Sequence, residues 1–464
     1  MSLRNDGSLI AQLITPDSRT ENTLATMFID VHGGKFRYVR EWNRWLYWDG
    51  SRWLHDASEN LVTREARRFG DMLMDQLAGS LKRLPDDELN KIVTFVRHAN
   101  GSRGIINFVS LSQSDERVSI SYKELNRGKL LFNVKNGTVD LSTGMLREHN
   151  PDDLMTQLAE VKYDEAADCP RWKAAVQLIF GDDNSLVRYV RQLIGYSISG
   201  LCGEHILPIC YGSGANGKST VWNAVLRVVG DYGFLANDSL LLGEKHSHPT
   251  EKAALYQKRF VPISEPDQDS RLRESRVKEL TGDSTITARR MHEDFWSFDR
   301  SHTFWLSSNH LPKIAGTDEG IWRRIKLIPF TVDLRQKVAP IANYDEVLAR
   351  EEGPGILNWV IGGFLDYQEH GLQEPSVVSD ATKLYRQDSD EVASFVDECC
   401  VVGPSVMAPA NKLFNEFQRW GGKATRTSFG LKMAERFVKD KPNAGEFRKQ
   451  TLYHGVGLPG DDSY

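Results

Sequence analysis

Residues 212–220 of this 464-residue chain read GSGANGKST, directly after the short apolar run ILPICY. Three glycines within six residues allow positive φ angles, so the backbone can curve closely around an anion. The stretch fits the pattern G-x-x-x-x-G-K-[ST], and its fixed positions are Gly212, Gly217, Lys218 and Ser219. In such a loop the backbone N–H groups surround the phosphates, the lysine meets the β and γ oxygens, and the hydroxyl holds Mg²⁺.

The flanks of this loop meet the structural context that the pattern requires. Residues 205–211 are predicted to form a strand. The segment after the loop has helical spacing, with Val221, Val225 and Val228 on one face, and its dipole would direct positive charge at the phosphates. A chance match in a flexible loop is the alternative, and these flanks argue against it. The sequence therefore predicts a site for ATP and Mg²⁺. The expected nucleotide-binding residues are Gly212, Gly214, Asn216, Gly217, Lys218, Ser219 and Thr220.

The composition limits the class of protein. The length gives room for about three domains, and 40% hydrophobic with 26% charged residues is ordinary for a globular protein. No apolar run approaches the roughly 18 residues of a membrane span, and the N-terminus lacks the apolar core of a signal peptide. We therefore expect a cytoplasmic protein without membrane contact. The five cysteines contain no CxxC pair, which argues against a zinc site. The net charge of −5 means that any nucleic-acid contact must come from a local basic patch.

The chain is predicted to fold as four segments. The first contains an aromatic hairpin at 35–53, helices, a strand–turn–strand unit at 130–150 and an amphipathic helix at 171–200. The second alternates strands and polar connections as an α/β core, the third is helical, and the fourth holds short helices and a terminal strand. The predicted boundaries are 1–200 for the N-terminal module, 201–335 for the P-loop core, 336–389 for the connector and 390–464 for the C-terminal domain.

Polar residues follow two further predicted strands of the core. Glu265 comes after the apolar run at 259–263, and Asn309 comes after the run at 304–306. An acid beside a P-loop can hold the Mg²⁺ shell or orient the attacking water, whereas a lone acid after a strand is weak evidence. A neutral amide can bond to the γ-phosphate or its water without adding repulsive charge. The alternative is an asparagine that only caps a turn, which is common.

Two adjacent arginines, Arg323 and Arg324, precede the last predicted strand of the core. An arginine placed there could reach the γ-phosphate of a neighbouring subunit. The alternative is a solvated charge on an edge strand.

In combination, the order and spacing of these features resemble the superfamily 3 helicases. The likeness is closer to the phage and plasmid primase-helicases and their poxvirus NTPase relatives. The P-loop, the two strand ends and the WRR stretch at 322–324 carry it. NVKNGTVDLSTG at 133–144 and QLIGYSISG at 192–200 are similar to the helical module that precedes the family's ATPase. Residues 371–400 are similar to the segment that leads into the family's C-terminal winged helix.

This resemblance implies a fold class, an activity and a set of catalytic residues. The implied fold is an α/β P-loop NTPase of the AAA+-like superfamily 3 type, with an N-terminal mixed α/β helical module and a C-terminal winged-helix-like domain. The implied activity is that of an ATP-driven replicative DNA helicase. Such a helicase is usually a hexameric ring and moves on single-stranded DNA in the host of a phage, plasmid or integrated element. Arg324 aligns best with the arginine finger, because it directly precedes the strand. The expected catalytic residues are Lys218, Glu265, Asn309, Arg324 and Arg323. The expected Mg²⁺ ligands are Ser219 and Glu265.

The chain departs from the family pattern in two respects. Motif B commonly has two adjacent acids, but Pro266 follows Glu265 here, which leaves the division of metal and base roles open. Many relatives carry a primase domain upstream, and the about thirty residues before the first hairpin are too few to encode one. We expect either a helicase-only protein or the C-terminal part of a longer chain, with a primase or polymerase as a fused or separate partner.

The DNA contact is expected in a locally basic part of the core. Residues 271–330 hold 11 Lys and Arg against 8 Asp and Glu, in a chain whose net charge is negative. Within them, TITARRMHEDFWSF at 285–298 has the pattern of a hairpin, and superfamily 3 rings insert such a hairpin into the central pore. The alternative is a plain surface hairpin whose arginines pair with Glu293 and Asp294. The expected DNA-binding residues are Lys278, Arg289, Arg290 and His292.

Four tryptophans near the N-terminus allow two interpretations. Interleaved with arginines, they could stack against the bases of a single strand. The favoured interpretation is a small aromatic core on the alternating hairpin. These tryptophans are Trp42, Trp45, Trp48 and Trp53.

Two other classes of protein compete with the helicase hypothesis. The first is an ATP-regulated DNA-binding replication initiator without unwinding activity. Glu265, Asn309 and Arg324 argue against it, because assembly alone needs no hydrolytic residues. The second is a P-loop kinase or nucleotide switch, which would leave the Asn309 strand and the arginine pair unexplained.

Overall fold

The computed structural model describes residues 9–80, 85–243, 249–264, 270–289, 294–314, 318–444 and 447–459. The chain divides into two compact units, Met1–Tyr163 and Asp164–Tyr464. This division comes earlier than the boundary after residue 200 that the sequence predicts. The helices between residues 164 and 200 pack within the second unit, against a long helix near residue 360.

The first unit combines four helices with two small sheets. Its helices are α1 (Glu21–His32), α2 (Asn60–Ser80), α3 (Asp86–Ala99) and α4 (Ser102–Ser112). One sheet has the order β3-β2-β1-β4, and its strands are β1 (Phe36–Val39), β2 (Arg44–Trp48), β3 (Trp53–His55) and β4 (Ser119–Ile120). The other has the order β5-β6-β7, and its strands are β5 (Leu131–Val134), β6 (Gly137–Asp140) and β7 (Met145–Arg147).

Apolar spacing explains the helical core of this unit. Five apolar side chains recur every three or four residues along α2, so they form one stripe that faces the other helices. None of them is more than 2% exposed. They are Val62, Ala66, Phe69, Leu73 and Leu77. The helices predicted after the aromatic hairpin are confirmed by α2 and α3.

The aromatic hairpin is confirmed as the pair β2 and β3. The carboxylate of Asp49 accepts hydrogen bonds from the backbone N–H groups of Ser51 and Arg52, at 2.7 and 2.8 Å, which closes the turn. Trp45 and Trp53 are no more than 1% exposed, so these two rings belong to the core.

The second unit begins with helices that surround a parallel sheet. Its helices before residue 390 are α5 (Pro170–Ile179), α6 (Asn184–Ser199), α7 (Lys218–Val229), α8 (Pro249–Ala253), α9 (Glu274–Gly282), α10 (Glu319–Trp322), α11 (Tyr344–His370) and α12 (Ser376–Asp388). Its strands over the same stretch are β8 (Leu207–Tyr211), β9 (Phe260–Ile263), β10 (Thr285–Arg289), β11 (Phe295–Asp299), β12 (Thr303–Ser308) and β13 (Ile325–Pro329).

The parallel sheet has the order β13-β8-β12-β9, with the P-loop strand β8 in an inner position. The strand residues 207–210 are buried, as expected for a parallel strand that is covered on both faces. At the outer strand β13, the hydroxyl of Thr382 on α12 accepts a hydrogen bond of 3.0 Å from the backbone N–H of Leu327. Helix α12 therefore covers the free edge of the sheet. The α/β core predicted from the sequence is confirmed, and its strand order could not have been predicted from the sequence.

The predicted helix over 171–200 is instead two helices. Gly181 and Asp182 adopt left-handed φ angles of 63°, which ends α5. The carboxylate of Asp183 then caps α6 by accepting hydrogen bonds from the backbone N–H groups of Ser185 and Leu186. Farther along α6, a Cβ atom at Gly195 would lie 2.2 Å from a backbone nitrogen of α11, so the missing side chain permits close packing of α6 against α11.

The end of the second unit holds three helices and a three-stranded antiparallel sheet of order β14-β16-β15. The helices are α13 (Glu391–Cys399), α14 (Ala410–Trp420) and α15 (Arg426–Arg436). The strands are β14 (Val401–Pro409), β15 (Val438–Asp440) and β16 (Leu452–Gly457). They share an aromatic core around Phe395, Phe417 and Phe429. Among the described residues, no helix is long and apolar enough to span a membrane.

Candidate active site

The P-loop lies at the carboxyl edge of the parallel sheet. It leaves β8 after Tyr211, and α7 begins at Lys218, so the loop connects a buried strand to the positive end of a helix. Gly217 is the N-cap of α7. Its φ of 84° is a backbone conformation that residues other than glycine rarely adopt.

Two of the three loop glycines are required by close packing. A Cβ atom at Gly212 would lie 2.1 Å from the carbonyl oxygen of Phe330, and one at Gly217 would lie 2.6 Å from the side chain of Ile179. Gly214 faces open space, since no atom lies within 4 Å of where its Cβ would be. The loop is therefore held tightly at both ends and is open in the middle, where an anion can approach its backbone.

Lys218 is buried in this loop, with only 5% of its surface exposed. Its Nζ atom donates hydrogen bonds to the carbonyl oxygen of Gly212, at 2.6 Å, and to Oδ1 of Asn309, at 3.0 Å. The amide of Asn216 donates to the carbonyl oxygen of Phe330 at 3.2 Å, which ties the loop to the end of β13. The structure thus brings four of the predicted residues together, namely Gly212, Asn216, Lys218 and Asn309.

Asn309 follows β12, which lies beside β8 with Ser308 opposite Tyr211. The pairing of Leu306 with Ile263 places the carboxyl end of β9 at the same edge. Glu265 lies just after β9 but outside the described residues. Ser219 is exposed on the first turn of α7.

A cavity of about 660 Å³ opens beside the loop, next to Gly217 and Thr220. Apolar side chains of α5, among them Leu178 and Ile179, form one wall. The segment 334–341 forms the other wall. The sequence interpretation did not assign a site to either wall. The apolar spacing of α5 is visible in the sequence, but its proximity to the loop depends on the tertiary fold.

The predicted finger residues lie at the opposite edge of the sheet. Ile325 pairs with Leu207 and Pro329 pairs with Tyr211, so Arg324 precedes the amino end of β13 while the P-loop follows the carboxyl end of β8. At about 3.3 Å per residue, the five paired positions separate these edges by roughly 17 Å. The structure therefore does not bring Arg324 to the P-loop of its own subunit.

The two arginines differ in their surroundings. Arg323 is exposed, whereas Arg324 is only 8% exposed. The Nε atom of Arg324 donates to the hydroxyl of Thr281 at 3.2 Å, and its Nη1 atom donates to the carbonyl oxygen of Gly320. Burial lowers the pKa of Arg324 from its ordinary value, and the neighbouring Arg323 and Arg300 lower it further. An incoming anion would relieve this repulsion.

The predicted DNA-binding residues separate into two places. Strands β10 and β11 form the expected antiparallel hairpin, and Arg289 lies over the ring of Phe295 at 5.5 Å. Arg290 and His292, between the two strands in sequence, lie outside the described residues. Lys278 is on α9, where it forms an ion pair with Asp318 and lines a cavity with the arginine pair.

Two families match separate parts of the chain. Residues 25–181 match the family described as D5 N terminal like, and residues 210–324 match a family of unknown function, DUF5906. The second match begins just before the P-loop and ends at the second arginine of the pair.

Similar proteins occur in large DNA viruses. The protein L207/L206 of Acanthamoeba polyphaga mimivirus, which is named as a helicase, is 27% identical over 392 residues, or 77% of this chain. The African swine fever virus protein C962R, which is named as a primase, is 26% identical over 226 residues, or 44% of this chain. The matches span only 40% of the mimivirus protein and 23% of the swine fever virus protein.

A solved structure shares the fold. The apo structure of the NrS-1 C terminal region is 12% identical to this chain, with a TM-score of 0.52, and the match covers 93% of this chain and 99% of the other. Taken together with the two family matches, the viral relatives show that this chain is similar to the phage and viral primase-helicases.

Proposed function

We propose that this protein is an ATP-hydrolysing replicative helicase that moves along single-stranded DNA as a ring. The observation that carries this proposal is the separation of the catalytic groups. Lys218 and Asn309 meet at one edge of the sheet, and Arg324 lies at the opposite edge. A single subunit holds both halves of an ATP site but cannot join them. A head-to-tail contact between identical subunits joins them, and repeated contacts of this kind form a ring when the rotation between subunits closes.

ATP fits the carboxyl edge. The phosphates would lie against the open backbone at Gly214, and Lys218 would exchange its carbonyl and amide partners for the β and γ oxygens. The base would enter the apolar cavity between α5 and the segment 334–341. Ser219, together with Glu265, would hold Mg²⁺, which when bound draws negative charge from the phosphate oxygens.

Each residue of the site has a distinct proposed role in hydrolysis. Asn309 hydrogen-bonds the γ-phosphate or the attacking water, and as a neutral amide it does not repel either. Glu265 orients that water. Arg324 comes from the neighbouring subunit and stabilises the charge that develops on the γ-phosphoryl oxygens, with Arg323 beside it. We take the ring to be a hexamer.

The proposed DNA contact is the hairpin of β10 and β11, with Arg289, Arg290 and His292 meeting phosphates in the pore. Phe295 supports this proposal, because it is 62% exposed next to Arg289 and could lie against a base. Lys278 would add positive charge nearby. The C-terminal helices and sheet are proposed to form a winged-helix-like domain. A primase or polymerase, fused or separate, is the proposed partner in the cytoplasm of the host cell.

The proposal is tested by measuring ATP hydrolysis and strand separation together, on a forked DNA duplex with one fluorescent strand. We expect single-stranded DNA to stimulate hydrolysis and the fork to be separated only with hydrolysable ATP. The Lys218→Ala protein is the control and should do neither. Binding of the duplex without strand separation would favour the replication initiator. ATP hydrolysis that DNA does not stimulate would favour a kinase or nucleotide switch.

A further inference from the structure

The amino edge of the parallel sheet contains a cavity of about 420 Å³ with a basic lining. Lys278, Arg323 and Arg324 contribute three positive charges, and Glu279 and Asp283 contribute the negative ones. The carboxylate of Glu279 is already in an ion pair with Lys252, outside the cavity lining. Lys278 is likewise in an ion pair with Asp318, outside the cavity lining, so Arg323 and Arg324 against Asp283 leave the lining with a small excess of positive charge.

His205 also lines this cavity, directly before the P-loop strand and on its amino side. Its side chain is exposed, and its φ of 52° is unusual for a residue that is not glycine.

One ring nitrogen of His205 is engaged by the protein. The Nδ1 atom lies 3.0 Å from the carbonyl oxygen of Thr281, and because a carbonyl can only accept, Nδ1 donates. The guanidinium of Arg300 lies 3.5 Å from the same ring atom. The hydroxyl of Thr281 also accepts from Arg324, so one residue positions both the imidazole and the finger arginine. The other ring nitrogen of His205, Nε2, is the one that can contact a ligand.

We propose that His205 is a further catalytic residue, which acts with Arg324 on the triphosphate held by the neighbouring subunit. This inference rests on the proposed ring function. With Nδ1 held by the carbonyl oxygen of Thr281, Nε2 of a doubly protonated imidazole would donate a hydrogen bond to a γ-phosphate oxygen. His205 and Arg324 line one cavity, and Thr281 contacts both side chains, so we expect them to reach the same ligand.

Two substitutions separate the roles of the ring nitrogens. His205→Asn tolerates the left-handed backbone and keeps a donor where Nδ1 lies, but it loses the group at Nε2. We expect its kcat for ATP to fall by about 10²-fold, with nucleotide binding retained. His205→Gln places an amide near Nε2 and should retain more activity than His205→Asn. A wild-type rate for His205→Asn would overturn the proposal.

Subunit mixing then distinguishes action across the interface from a structural role. Lys218→Ala subunits, which keep His205, are mixed with His205→Asn subunits, which keep the P-loop. We expect part of the activity to return, since some interfaces then contain both intact halves. His205→Gly, which takes the backbone angle without strain, replaces His205→Asn if that protein is unfolded.

Arg324→Ala mixed with Lys218→Ala serves as the reference in the same experiment. If the reference recovers activity and the His205 mixture does not, the histidine proposal is wrong while the proposed ring function stands. If neither mixture recovers although subunits exchange, action across the interface is refuted for both residues.

Discussion

The Nζ atom of Lys218 donates a hydrogen bond of 3.0 Å to Oδ1 of Asn309, across 91 positions of sequence. This contact joins the first turn of α7 to the end of β12, and it exists because β8 and β12 are neighbours in a parallel sheet. Carboxyl ends of parallel strands meet at one edge, where α/β proteins bind their ligands. Both predicted residues therefore face the same position in space.

Replacing Lys218 by alanine should remove hydrolysis without unfolding the protein. The substitution deletes the full positive charge that the loop offers the β and γ oxygens, and charge-assisted contacts of this kind are the strong ones. We expect kcat to fall by about 10²-fold or more, measured by phosphate release. Lys173→Ala, an exposed lysine on α5, is the control. Near wild-type turnover in a folded Lys218→Ala protein would refute the catalytic assignment.

Asn309→Asp should be more damaging to nucleotide binding than Asn309→Ala. An aspartate would form an ion pair with Lys218 and place a negative charge beside the triphosphate. Titration with a fluorescent ATP analogue should show weaker binding for the aspartate variant, while the alanine variant should bind and hydrolyse slowly. Equal affinity in the two variants would mean that Asn309 does not face the phosphates.

Replacing both Arg289 and Arg290 should weaken single-stranded DNA binding for all sequences alike. If these arginines meet phosphates, the slope of log K against log salt should flatten by about one to two, because fewer counterions are released. Basal hydrolysis without DNA should remain. The adjacent exposed pair Arg67 and Arg68 provides the control double substitution. An unchanged affinity for single-stranded DNA and an unchanged salt slope would show that these arginines do not contact DNA phosphates.

The buried His302 should make the fold sensitive to acid. Burial lowers the pKa of His302 to about 3, below its ordinary value of 6.5. The unfolded chain therefore takes up a proton below pH 6.5 that the folded chain does not, so stability falls as pH falls through this range. Between pH 7.5 and 5.0 this effect amounts to about 2 kcal/mol.

His302→Leu should reduce that pH-dependent loss by about the same 2 kcal/mol, whatever its effect on stability at neutral pH. Urea unfolding at both pH values, followed by tryptophan fluorescence, measures it. His370→Leu, at a partly exposed histidine on α11, should leave the acid loss in place. If the free energy of unfolding falls equally between pH 7.5 and 5.0 in wild type and in His302→Leu, then His302 takes up its proton in the folded state.

Local pattern was enough to predict part of the site. The glycine spacing, the apolar strand and the helical spacing after Lys218 are all short-range features, and the structure has the loop, β8 and α7 where they were predicted. The position of Arg324 directly before β13 was also predictable, because the mostly apolar run IKLIP follows it. Its role as a finger remains a prediction.

Other features depend on contacts that are distant in sequence. The cavity beside the loop requires α5 and the segment 334–341 to meet. The burial of Arg324, and not Arg323, depends on Thr281 and Gly320. The break between α5 and α6, in contrast, has a local sequence signal, since Gly181 takes a left-handed conformation after α5 and Asp183 caps α6.

The most direct test of the account is subunit complementation between Lys218→Ala and Arg324→Ala. Each protein alone should be nearly inactive, because one lacks the P-loop charge and the other lacks the arginine that accelerates hydrolysis by roughly 10³–10⁵. Mixed under conditions of confirmed subunit exchange, some interfaces join the intact loop of one variant to the intact arginine of the other.

We expect the mixture to recover a minor but clear fraction of wild-type ATP hydrolysis. The same mixture with Arg323→Ala in place of Arg324→Ala identifies which arginine acts. If exchange occurs and no activity returns, or if Arg324→Ala is fully active by itself, the claim that two subunits share one ATP site is contradicted.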